Sequence, residues 1–117
     1  MEDFPTEKPK IKKDRYARAR DGASYLMKLS CTNCEAPFAV YQKDGRGRLL
    51  RMYADRIAWP PQLAEQMKQV DADNVKEIGN LACGECETVL ATPTVYAPEN
   101  RAAFAVQQGT IATDRMK

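Results

Sequence analysis

The chain has no histidine among its 117 residues. That absence removes every Ser–His–Asp and Cys–His catalytic pair. It also removes imidazole as a metal ligand, so a bound metal must be held by thiolate or carboxylate. No run of about 18 apolar residues occurs, which argues against a transmembrane helix. The start, Met-Glu-Asp-Phe-Pro-Thr-Glu-Lys-Pro-Lys, has no apolar h-region and does not read as a secretory signal. A cytoplasmic, reducing location is the expectation, and there paired cysteines serve metal or redox chemistry rather than structural disulfides. Gly45-Arg46-Gly47 fits neither Gly-x-Gly-x-x-Gly nor the Walker pattern. Asp71 and Asp73 lack the glycine and distal glutamate of an EF-hand loop.

What is present fits one modest domain with a tail. Hydrophobic residues make up 44% and charged residues 29%, so a core is affordable but small, and a bound metal would add useful stability. The formal net charge of +2 is too low to argue for nucleic acid by itself. Its distribution says more. Residues 1–59 carry 13 Lys/Arg against eight Asp/Glu, and residues 60–117 carry five against eight. A basic N-terminal half can steer a polyanion to one face.

Residues 1–22 read as a flexible basic arm, rich in lysine and arginine and poor in large apolar groups. Residues 14–21 within it could form a short helix stopped at Gly22. Residues 23–117 read as the folded domain. Residues 24–30 predict a strand running into the first cysteines, and a second strand follows over 37–42. Asp44-Gly45 between apolar runs predicts a hairpin, with a further strand over Leu49–Ile57, where a short helix fits almost as well. Pro61 starts a helix whose Leu63, Met67 and Val70 form one apolar stripe. Strands are expected over 88–91, 94–97, 102–106 and 110–112, punctuated by Pro93 and Pro98.

The strongest motif is the cysteine pattern. Cys31-Thr-Asn-Cys34 and Cys83-Gly-Glu-Cys86 hold all four cysteines in two equal spacings. Two intervening residues let both sulfurs point inward from one tight turn, and two such turns complete a tetrahedral site. Four thiolates fill the coordination sphere of one Zn²⁺ and leave no position for water, which predicts a structural ion and no hydrolytic chemistry. One iron in the same site, carrying an electron, is the alternative. Direct thiol–disulfide chemistry at a CxxC is a third option.

These turns, each approached by a strand, resemble the knuckles of zinc-ribbon and rubredoxin-like proteins. The resemblance implies a small β-rich (α+β) zinc ribbon, with an antiparallel sheet, two CxxC knuckles and one short helix. Members of that group often carry glycine after the second cysteine, whereas this chain has Glu35 and Glu87. The added negative charge disfavours a reducible iron. The runs Tyr41–Ile57 and Glu99–Phe104 are similar to segments of small prokaryotic zinc-ribbon proteins of no assigned activity.

A working surface is expected on the basic segment. Lys43, Arg46, Arg48, Arg51 and Arg56 fall within fourteen residues, interleaved with Tyr41, Tyr53 and Trp59. Guanidinium groups grip phosphate and rings stack bases, so nucleic acid is one expected partner and another protein the other. A solvated hairpin tip with a polar strand face is the plainer reading of the same residues. No catalytic residue, small-molecule substrate or membrane is implied.

Overall fold

A computed structural model describes Ile11, Lys12, Asp14, Tyr16 and residues 23–45 and 47–116. The helix expected over 14–21 lies outside the described residues except at Asp14 and Tyr16. The elements are β1 (Ser24–Cys31), β2 (Pro37–Asp44), β3 (Arg51–Tyr53), β4 (Ile57–Trp59), α1 (Pro61–Met67), α2 (Val75–Ile78), β5 (Leu81–Ala82), β6 (Val89–Tyr96), β7 (Arg101–Val106) and β8 (Ile111–Arg115). Among the described residues no helix is long and apolar enough to cross a membrane.

The single sheet of the expectation is two. One is ordered β4-β2-β1-β8 and the other β3-β7-β6-β5, with all pairings antiparallel. Met27, Leu29, Ala39 and Tyr41 from the first share a core with Met52, Ala91, Ala102 and Phe104 from the second. Ile57, Met67 and Val75 join the same cluster. Inward residues alternate along β1 and β2 because successive strand side chains face opposite ways. The stripe predicted for α1 packs as expected, with Met67 buried and Leu63 and Val70 against the core.

The Asp44-Gly45 hairpin does not form. β2 pairs with β1 and β4, whereas β3 pairs with β7 in the other sheet. The stretch after Gly45 is a connection between sheets, because the partner that completes β3 lies some fifty residues ahead (Met52 opposite Phe104). The strand expected over 49–57 is also divided. A single 3₁₀ turn, Ala54–Arg56, carries the chain from β3 in one sheet to β4 in the other.

Pro93 does not interrupt its strand: β6 runs through it, opposite Phe104 of β7. On its other side β6 is met by β5 only near Val89 and Ala91, so the sheet edge at Pro93 needs no donor.

Candidate metal centre

Each sheet supplies one knuckle. The first is the β1–β2 turn and the second the β5–β6 turn. They are the same turn built twice. The Cys31 N–H donates to the Ala36 carbonyl at 2.9 Å and the Glu35 N–H to the Cys31 carbonyl at 2.7 Å. In the second knuckle Cys83 N–H donates to Thr88 and Glu87 N–H to Cys83, both at 2.8 Å. Glu35 and Glu87 both sit at φ 65°. That left-handed conformation costs little for glycine and more for a residue with a Cβ. The glycine usual there in zinc ribbons thus has a conformational reason, and here two glutamates carry the same turn.

The fold brings together the four cysteines singled out from the sequence. All four Sγ atoms lie within 4.8 Å of one another. Across the knuckles Cys34 and Cys83 are 3.5 Å apart and Cys31 and Cys86 are 3.7 Å apart. Sulfurs tetrahedral about one zinc at about 2.3 Å stand about 3.8 Å from each other. A disulfide would need about 2.05 Å, and all four thiols are free. Cys31 and Cys83 are buried with Ala36 and Leu90 in a small apolar cluster. The donor set fits a soft or borderline cation. The cluster is consistent with a zinc-ribbon-like module.

Two polar neighbours escaped the sequence reading. The Asn33 amide reaches from the first knuckle to Cys86 Sγ at 3.4 Å and to Thr88 Oγ1 at 3.2 Å. The Thr88 hydroxyl lies 3.1 Å from the same sulfur. The Thr88 hydroxyl, then the Asn33 amide, bring the Cys86 thiol down to about 6. At Cys34 a hydrogen bond from the Ala36 backbone favours the thiolate. Desolvation and the three neighbouring thiols outweigh it and push Cys34 up to about 12. Four crowded sulfurs resist collective ionisation, and a divalent cation is what relieves that repulsion. The only sequence signal for these neighbours was position: an amide inside one CxxC and a hydroxyl two residues beyond the other.

The predicted basic residues separate into two groups. Lys43, Arg48 and Arg51 line one depression of about 240 Å³, with Tyr41, Asp44, Tyr53, Leu49 and Leu50, but Lys43 is buried rather than solvent-facing and its Nζ donates to the Gly45 carbonyl at 3.3 Å. Arg46 lies outside the described residues. Arg56 does not face solvent: its residue exposure is 1%. Its Nε donates to Asp44 at 2.7 Å, and its two terminal nitrogens donate to Asp14 at 2.9 and 2.6 Å. Burial opposes the guanidinium charge, but the bonds to Asp14 and Asp44 outweigh it and hold Arg56 protonated well above the usual range. The expectation of a solvent-facing Arg56 is therefore corrected; its carboxylate partners lie 12 and 42 residues away. Tyr41 and Tyr53 are buried too, and the Tyr41 hydroxyl accepts the Tyr53 N–H at 2.8 Å.

Part of the segment assigned to the arm touches the folded body. Gln42 pairs both amide atoms with the Lys12 backbone, at 2.7 and 3.0 Å. The Arg101 guanidinium stacks between Tyr16 and Tyr53, 3.8 and 3.9 Å from the ring centres. No family model, curated protein or solved structure matches the chain, so the assignment of the centre rests on its own geometry.

Proposed function

We propose that this protein is a binding module built on one structural Zn²⁺ and is not an enzyme. Cys31, Cys34, Cys83 and Cys86 would supply four thiolates. The ion would neutralise two of their charges and cross-link the two sheets. The observation that carries this reading is the convergence of four Sγ atoms, from knuckles in different sheets, within 4.8 Å. A four-thiolate shell has no open position, so the ion's contribution is folding free energy and not activation of water.

The working surface in this reading is the basic one. Lys43, Arg48 and Arg51 share a depression, and nucleic acid is the partner that such a surface suits. An acidic protein is the other candidate. Cytoplasmic residence belongs to the same proposal, since the thiols must stay reduced to bind metal.

Elemental analysis of protein purified without added metal tests the centre. One zinc per chain in a colourless sample is the expected result. One iron per chain with visible absorbance would instead make the protein a rubredoxin-like electron carrier. A metal content well below one per chain, with reactive thiols, would reject both and favour thiol redox chemistry.

A further inference from the structure

The depression at the junction of β2 and β3 has features that nucleic-acid steering alone does not require. Its walls come from both sheets: Tyr41 and Lys43 on β2, Arg51 and Tyr53 on β3, with Arg48, Leu49 and Leu50 of the connection between them. The described arginines fall into two groups, with Arg115 on the same side as Arg48 and Arg51 in meeting no carboxylate among the described residues, but set apart from them over Tyr25. Arg56 and Arg101 are each held by two carboxylates. Arg48 and Arg51 meet no carboxylate among the described residues. Arg48 donates to the Gln108 amide oxygen at 2.9 Å. Arg51 lies 4.4 Å over the Tyr96 ring and reaches the Tyr53 hydroxyl at 3.5 Å. Asp44 also borders the depression, but its carboxylate already accepts from Arg56, Ser24 and Gln42. Its charge is committed inward.

Two guanidinium groups without acidic partners form a site for a tetrahedral oxyanion; Lys43 beside them is buried, with its Nζ donating to the Gly45 carbonyl at 3.3 Å, and adds charge to the wall. Leu50 lies beside them and is 54% exposed, an uncommon degree for a large apolar side chain in this protein. Charge and apolar surface together suit an anion attached to a flat or apolar body. The volume of about 240 Å³ is on the scale of one phosphate and its sugar.

We propose that the depression lined by Lys43, Arg48 and Arg51 binds one phosphate group of a nucleotide, with Leu50 against the attached sugar or base. The inference rests on the binding-module reading and narrows its ligand to single nucleotide units. Such units can come from a single-stranded chain or from free nucleotide. For a single strand, removing one arginine–phosphate pairing should lower the salt slope by about 0.7.

The test uses full-length protein with its metal content measured on the same sample. Fluorescein-labelled dT12 is titrated by anisotropy at several salt concentrations, and AMP and inorganic phosphate by amide chemical-shift changes. Saturable binding of dT12, weakened about tenfold or more in R48Q/R51Q with a salt slope shallower by about 0.7, as expected for the loss of one phosphate, supports the proposal for a chain. Saturable AMP binding without dT12 binding, lost in the same variant, supports it for free nucleotide. R115Q, on β8 with its guanidinium over Tyr25, is the control and should bind like the parent. An unchanged melting temperature shows that R48Q/R51Q remains folded; if that variant unfolds, L50E replaces it and should weaken binding likewise. No saturable binding of any probe, or binding equal in parent and variant, overturns the proposal. A loaded zinc site without binding sinks this inference alone, while binding without zinc sinks the structural-zinc reading alone.

Discussion

Arg56 lies buried across the carboxylate of Asp14, two parallel hydrogen bonds joining residues 42 positions apart. A planar guanidinium matched to a carboxylate in this way fixes orientation as well as distance. Asp44, with only 4% of its side chain exposed, takes the remaining Nε bond. The cluster is therefore an anchor for Asp14, not a phosphate-gripping surface.

Removing the cation from this cluster should be severe. Arg56→Met leaves Asp44 buried without its counter-charge, at a cost of about 3–5 kcal/mol. Asp14→Asn should cost less, about 1–2 kcal/mol, because Asp14 is 41% exposed and water compensates. Deleting residues 1–22 removes Lys12, Asp14 and Tyr16 together and should match or exceed the milder loss. Urea unfolding of the three variants checks the ranking. An unchanged midpoint for the deletion would mean that these contacts add nothing in solution.

The paired glutamates give a prediction of opposite sign. Glu35→Gly and Glu87→Gly relieve a left-handed backbone and should each stabilise the protein by about 1 kcal/mol. In a domain of this size that corresponds to roughly 4 °C or more in melting temperature. Glu35→Val should destabilise, since a β-branched residue tolerates that conformation poorly. Calorimetry with metal bound is the measurement, and a glycine variant that melts lower would refute the conformational account.

Ligand loss should act through the whole fold. Cys31→Ser or Cys83→Ser, or an excess of a strong chelator, should remove most of the stability, because native domains of this size have only about 5–15 kcal/mol to lose. The readout is the melting temperature before and after metal removal. A value that does not move would leave the cysteines without a structural role.

Asn33 lies outside the ligand set but holds Cys86 from the opposite knuckle. Asn33→Ala should weaken zinc retention about 10-fold or more, as loss of an outer-shell partner commonly does. Competition with a coloured chelator measures it, and retention equal to the parent would confine Asn33 to packing.

In metal-free protein the two half-exposed thiols should differ with pH. The fold favours the Cys86 thiolate, so that contribution is present above the unfolded value of 9.0 and lost as pH falls through about 6. The fold favours the Cys34 thiol, whose contribution is present below 9.0 and lost as pH rises towards about 12. At pH 7.5 iodoacetamide should label Cys86 before Cys34, although Cys34 is the more exposed. Peptide mass spectrometry gives the order, and Cys34 reacting first would contradict it.

The local features were legible in the sequence because their causes are local. Cysteine spacing predicts the knuckles, the apolar runs flanking the first pair predict β1 and β2, and Pro61 with the Leu63–Met67–Val70 stripe predicts α1. Distant causes were not legible. The Asp44-Gly45 signal describes a tight turn, but β3 pairs with β7, so the residues around that turn never face one another. Arg56 resembled its basic neighbours until Asp14 and Asp44 closed around it. Arg48 and Arg51 could not be told apart from Arg56 by composition, because what separates them is three-dimensional: among the described residues neither meets a carboxylate, while Arg56 meets two.

β2 begins at Pro37, next to the first knuckle, and ends at Asp44, roughly 23 Å away at about 3.3 Å per residue. A sulfur clasp therefore closes one extremity of the strand and a guanidinium clasp the other. The two should answer to different agents: the first to a chelator, if it holds the proposed ion, and the second to trimming of the leading residues. The molecule has two separate places from which unzipping can start.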